Sequence, residues 1–97
     1  MAEWTYIQTE ASERFCHIQY FGYTKRQRSS EVDFVITVKE YTNPTDPAMK
    51  FFAEADKQTN QKIAPYTPIG WGPNLSTALY ECVKAIRRFD YEPVDHT

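Results

Sequence analysis

Cys16-His17 sets a thiol beside an imidazole, the side chains from which a nucleophile with its base, or two zinc ligands, can be built. The pair sits in an aromatic and aliphatic run, Arg14 to Tyr23, that reads as a strand, and successive strand side chains point to opposite faces. Without a bulge the two cannot act together. A zinc site would have to recruit Cys82 and His96, and the chain has no C-x-x-C spacing, so no metal and no cofactor is expected. Cys16 and Cys82 each lie in an apolar stretch and read as reduced, buried thiols. Asp33 and Glu54, the acids within strand-like segments, are placed as solvent-facing positions rather than as a catalytic pair. Gly70-Trp71-Gly72 lacks the further glycine and the lysine of a phosphate loop, and Pro73 removes an amide that such a site would use, so the triplet reads as a turn with a packed Trp71. Asn74-Leu75-Ser76 has the form of a glycosylation sequon, but Asn74 is accounted for as a helix cap. No nucleophile, base and orienting group fall together, and the expectation is a protein that is not an enzyme.

Lys25-Arg26-Gln27-Arg28 is the most concentrated charge in the sequence, with Tyr20, Phe21 and Tyr23 just before it. Basic side chains contact phosphate and aromatic rings stack on bases, so Lys25, Arg26 and Arg28 form the candidate nucleic-acid site of an RNA-binding alternative. The overall charge disfavours it: 11 Lys and Arg stand against 13 Asp and Glu, a net −2 over 97 residues. Only a local patch could hold a polyanion.

The elements that must position these residues follow from hydrophobic period. Trp4 to Gln8, Arg14 to Tyr23 and Val32 to Tyr41 read as strands, the last with Val32, Phe34, Ile36 and Val38 alternating on one side. Thr9 to Glu13 and Lys25 to Glu31 read as the hairpin loops between them. Asn43-Pro44 and Asp46-Pro47 stop the third strand, and Met49 to Ala55 reads as a fourth. Asp56 to Pro73 is a long ordered loop with room for a short edge strand near Ile63 to Thr67. Leu75 to Phe89 places Leu75, Ala78, Leu79, Cys82, Ala85, Ile86 and Phe89 on one helical stripe, with Asn74 as its cap and Arg87 and Arg88 at the end that favours positive charge. The fold expected is α+β: an antiparallel sheet of about four strands in β-β-β-β-α order, with one C-terminal helix packed on one face. Residues 1–97 form a single domain with a frayed tail over 92–97. The first residues carry no signal-peptide pattern and no stretch is long and apolar enough to span a membrane, which points to a cytoplasmic protein with no membrane contact.

The approach to the helix, Gly72-Pro73-Asn74-Leu75-Ser76-Thr77-Ala78-Leu79 continuing to Ala85-Ile86, resembles the G-x-T/S-L-x-E-A-L … A-I segment of HicB-like antitoxin domains, and Phe52-Ala53-Glu54-Ala55 resembles that family's Y-V-A-E-V strand. About a quarter of the chain is involved. The resemblance implies a β-β-β-α unit of the partial ribonuclease H type that carries no catalysis and binds a protein partner. The chain departs from the family in its longer Asp56 to Ile69 connection, and it ends eleven residues after Ile86. No residue is carried over as a functional site.

One helix covers one face of a sheet. Ile18, Phe34, Ile36, Val38 and Phe51 or Phe52 are expected to face Leu79, Cys82 and Ile86. Alternation then puts Trp4, Tyr6, Phe15, Phe21 and Val35 on the second face, among His17, Gln19 and Thr37. An apolar patch of that kind marks an interface. The chain is read as a small binding domain acting through that patch, as a homodimer or with a protein partner, unless the loop from Asp56 to Pro73 folds across it.

Overall fold

The computed structural model describes residues 15–42, 44 and 46–92. Four strands, β1 (Cys16–Gln27), β2 (Ser30–Tyr41), β3 (Phe51–Ala55) and β4 (Ile69–Gly72), form one antiparallel sheet in the order β1-β2-β3-β4, and helix α1 (Leu75–Arg88) follows. The α+β class and element order are as expected. The membership of the sheet is not. Trp4 to Gln8 lies outside the described residues, and the fourth strand is Ile69–Gly72, a segment that read as loop and turn. The edge strand expected near Ile63 to Thr67 is a single bridge between Thr59 and Tyr66.

β1 and β2 are each 12 residues long and are joined by Arg28 and Ser29 alone. Arg28 turns the chain at φ 51°, in the left-handed region, and Ser30 Oγ donates to the Gln27 carbonyl. The expected Lys25–Glu31 loop is therefore mostly strand, because its polar side chains find partners at the far end of the helix. Register fixes the faces: Phe21 pairs with Ile36 and Tyr23 with Phe34, so these residues share the helix side. Ile18 pairs with Lys39 and Tyr20 with Thr37 on the opposite, open side. This corrects the expected phase of β1: Phe21, His17 and Gln19 belong to the helix face and Ile18 to the open face. Apolar residues occupy both parities of Phe15 to Tyr23, so alternation within that strand could not set its phase. Pairing with the cleanly alternating β2 does.

The core is Phe34, Ile36 and Val38 of β2, Ala53 and Ala55 of β3, and Ala78, Cys82 and Ile86 of α1, with Phe21, Tyr23, Phe51, Leu75 and Leu79 packed around it. Asn74 caps the helix as expected: its backbone is extended, and its Oδ1 accepts from Thr77 N at 2.9 Å. The closest packing is between β4 and α1. A Cβ on Gly70 would stand 2.2 Å from the Ala78 carbonyl oxygen and 2.5 Å from Cys82 N, and one on Gly72 would stand 2.7 Å from Thr77 Cβ. Backbone lies against backbone here, and only glycine permits it. A Cβ on Gly22, in β1, meets none of the described residues within 4 Å.

These contrasts set an expected outcome for chemical denaturation. Gly70→Ala is expected to lower stability by about 3 kcal/mol, since the helix backbone cannot yield to the methyl group. Gly22→Ala is expected to leave the midpoint unchanged or raise it by up to about 1 kcal/mol. Equal effects at the two positions would contradict the packing described.

Candidate functional site

The open face of the sheet is built from the residues that register places opposite the helix. One row runs Ile18, Lys39, Phe52, Trp71; the next runs Tyr20, Thr37, Glu54, Ile69; Val35 lies beyond, opposite Gly22. Phe52 and Trp71 stack across β3 and β4 with ring centroids 4.4 Å apart and planes tilted by 40°. Tyr20 is 70% exposed, and Ile18, Val35, Ile69 and Trp71 are each about two-fifths exposed. The loop between β3 and β4 stays off this surface. Its Asn60 N donates to the Asp90 carbonyl and its Tyr66 packs edge-on against Phe89, tying it to the far end of the helix.

Of the expected interface residues, Val35 is on the open face and Phe15 is exposed just before β1. Phe21 is half-buried on the helix side, and Trp4 and Tyr6 lie outside the described residues. Alternation along the sequence does not single out Ile18, Tyr20, Phe52, Ile69 and Trp71 as interface residues. The cross-strand register that gathers them needed β4, and a Gly-Trp-Gly segment between prolines does not read as a strand.

The basic cluster is taken apart by the fold. Lys25 points to the helix side, where its Nζ donates to the Ile86 carbonyl at 3.1 Å and the Phe89 carbonyl at 3.0 Å and lies 3.3 Å from Asp90 Oδ1. Its side chain is only 12% exposed. It serves the carbonyls that the helix C-terminus leaves open, and the helix dipole favours its charge there. Gln27 extends the same seam: its Oε1 accepts from Tyr91 N at 2.7 Å and its Nε2 donates to the Tyr91 carbonyl at 3.3 Å. Arg26 falls on the open face opposite Glu31, and Arg28 is in the turn. The three cations do not form one surface.

The other chemistry-bearing residues are equally separated. Cys16 and His17 lie on opposite faces, and His17 Nδ1 is 3.9 Å from Glu40, which also meets Lys50 at 3.5 Å. Asp33 and Glu54 share the open face. Glu54 pairs with Thr37, four residues along β2 from Asp33, so roughly 13 Å of strand separates the two acids. Asp33 instead accepts from Thr24 Oγ1 at 2.7 Å. Both cysteines are free. Burial pushes the Cys82 thiol up to about 12 from an ordinary 9.0, against a hydrogen bond at the Ala55 backbone and with a small contribution from Glu54; its Sγ lies 3.5 Å from the Pro68 carbonyl. Among the described residues no group of His, Cys, Asp and Glu is placed to hold a metal ion, and no helix is long and apolar enough to cross a membrane.

Two outcomes follow. Lys25→Met keeps the aliphatic stem but removes the charged donor from the helix end, and is expected to cost about 2 kcal/mol in denaturant unfolding; no loss would mean the ammonium is dispensable there. The neutral Cys82 thiol contributes stability that is whole below pH 9 and is lost as pH rises from 9 toward 12, because the unfolded thiol ionises first. Stability of Cys82→Ala relative to the parent is therefore expected to improve across that window, by up to about 1.4 kcal/mol per pH unit. A pH-independent difference would contradict it. Comparison of the chain with family models, curated proteins and solved structures finds no match.

Proposed function

We propose that this chain is a non-catalytic interaction domain and that the open sheet face is the surface with which it holds a protein partner. The observation carrying this reading is the pair of cross-sheet rows, Ile18–Lys39–Phe52–Trp71 and Tyr20–Thr37–Glu54–Ile69, in which aromatic and aliphatic side chains stand beside single charges of each sign. Aromatic residues at the centre of such a patch supply contact area, and the flanking charges fix register. The charge balance favours a protein over a polyanion: Lys39 and Arg26 are offset on the same face by Glu31, Asp33 and Glu54, and Lys25 is spent on the helix end. The α+β domain with one sheet face uncovered by the other described residues also agrees with the partner-binding role that the resemblance to HicB-like antitoxin domains implies.

The test compares the full chain with Ile69→Lys and Trp71→Lys as bait in extracts of its native host, followed by reconstitution from purified components. A protein that binds the parent stoichiometrically is expected to lose at least tenfold in affinity to each variant, while Arg26→Glu with Arg28→Glu binds as the parent does. The opposite pattern, with single-stranded RNA retained by the parent at low salt and released by the arginine reversals, would establish the nucleic-acid reading instead.

A further inference from the structure

A sheet has edges as well as faces, and an edge strand offers unpaired backbone groups to any extended chain that meets it. Two of the edges here are blunted. β4 is four residues long and lies between Pro68 and Pro73. The half of β2 that extends past β3 is covered by the next segment: Asp56 N donates to the Val35 carbonyl, Val35 N donates to Asp56 Oδ1, both at 3.0 Å, and Lys57 Nζ donates to the Asp33 carbonyl. Among the described residues the outer edge of β1 has no such device. Among the described residues nothing pairs with it, and Cys16 to Thr24 contains no Asp, Glu, Lys, Arg or Pro.

The ladder says which groups face outward. Thr42 N donates to the Phe15 carbonyl, so the odd residues of β1 turn their backbone groups toward β2 and the even ones, Ile18, Tyr20, Gly22 and Thr24, turn theirs away. The same even residues put their side chains on the open face. Two of them are complementary: Tyr20 is the most exposed of the large apolar side chains on the open face, and no described residue fills the space over Gly22, two positions on.

We infer that β1 pairs antiparallel with β1 of a second copy about a twofold axis through Phe21, joining the two sheets edge to edge, with Tyr20 of each copy lying over Gly22 of the other. In this register Tyr20 and Gly22, and Ile18 and Thr24, form hydrogen-bonded pairs, and an aromatic ring covers the bare glycine backbone. Phe21 meets its own counterpart in the closer, non-hydrogen-bonded pair on the helix side, which makes the two cores continuous. Charge agrees with the antiparallel sense: Lys25 and Arg26 fall opposite His17 and Cys16, whereas a parallel pairing would stack like charges together. The helix packs over β3 and β4, leaving this edge open to approach. The proposal concerns the edge and does not depend on what the open face binds.

Sedimentation velocity on the full chain, from about 5 to about 500 μM, is expected to give a reversible dimer, since one ladder and two tyrosines bury less than the ~1,600 Å² of a standard interface. Tyr20→Lys and Gly22→Thr should each weaken association at least tenfold. Gly22→Thr should also raise the unfolding midpoint measured in the monomer, because threonine suits a strand and its side chain meets nothing there. Amide exchange at Ile18, Tyr20, Gly22 and Thr24 should slow as concentration rises. Ile69→Lys, which tests the open face, should leave the dimer intact. A monomer at the highest concentration would overturn the inference, as would a dimer indifferent to both β1 variants. Protection of the four amides that persists on dilution would mean that a segment of the chain itself occupies the edge, and would overturn it too.

Discussion

The approach of β4 to the helix sets the geometry that the rest of the molecule obeys. With Gly70 and Gly72 on the strand and Ala78 and Cys82 on the helix, side chains hardly separate the two backbones. A seam this tight holds the helix over β3 and β4 and lets the small core of Ala53, Ala55, Ile36 and Val38 close beneath it. It also inverts the usual reading of glycine in a strand. Gly-Trp-Gly between prolines has the composition of a turn, and only the demand for room beneath the helix makes it a strand. Sequence patterning yields the helix, its Asn74 cap and the alternating β2 because each depends on local chemistry. β4 depends on a contact with another element, so its own residues do not announce it.

Because the helix sits to one side, its C-terminal end must be satisfied by something that reaches it, and the long hairpin does so. Tyr23, Lys25 and Gln27 alternate on the helix face, and the latter two donate to or bracket the backbone of Ile86, Phe89 and Tyr91. In sequence the run from Lys25 to Arg28 looks like a solvated loop with a cationic tip. In the fold, polarity at Lys25 and Gln27 is the strand's means of pairing with open carbonyls and amides. The loop after β3 joins the same region through Asn60 and Gln61, which bond to Asp90 and Glu92. Charge density alone could not separate a phosphate contact from a helix-end contact, since both recruit the same ammonium group.

The second face was legible in kind but not in membership. Among the described residues one helix over four strands leaves a face uncovered whatever the register, and aromatic and aliphatic side chains give that face its apolar part. Which residues occupy it depends on the phase of β1, where both parities carry rings or aliphatics. Phe21 and Ile18 exchange places once Phe21 pairs with Ile36. The surface that results is narrower and more ordered than composition alone implies, with Phe52 stacked on Trp71 and Lys39 and Glu54 in adjacent rows.

Glycine placement bears on the edge as well. The chain has three glycines, and two are required where β4 meets the helix. Gly22 has neither reason: its φ is not positive, and no atom of the described residues lies within 4 Å of where a side chain would begin. A glycine in mid-strand costs roughly 0.5–1 kcal/mol relative to alanine, and no contact among the described residues of one chain offsets it. Its neighbours sharpen the anomaly, because Tyr20 beside it holds a large ring in water and the strand around it lacks the charges that would keep another strand away. Among the described residues a bare backbone position, an unburied ring and an unguarded edge fall within three residues, each unfavourable or indifferent by itself. Laid against their own copy in the antiparallel sense, the ring fills the gap and the edge is paired, so one contact accounts for all three.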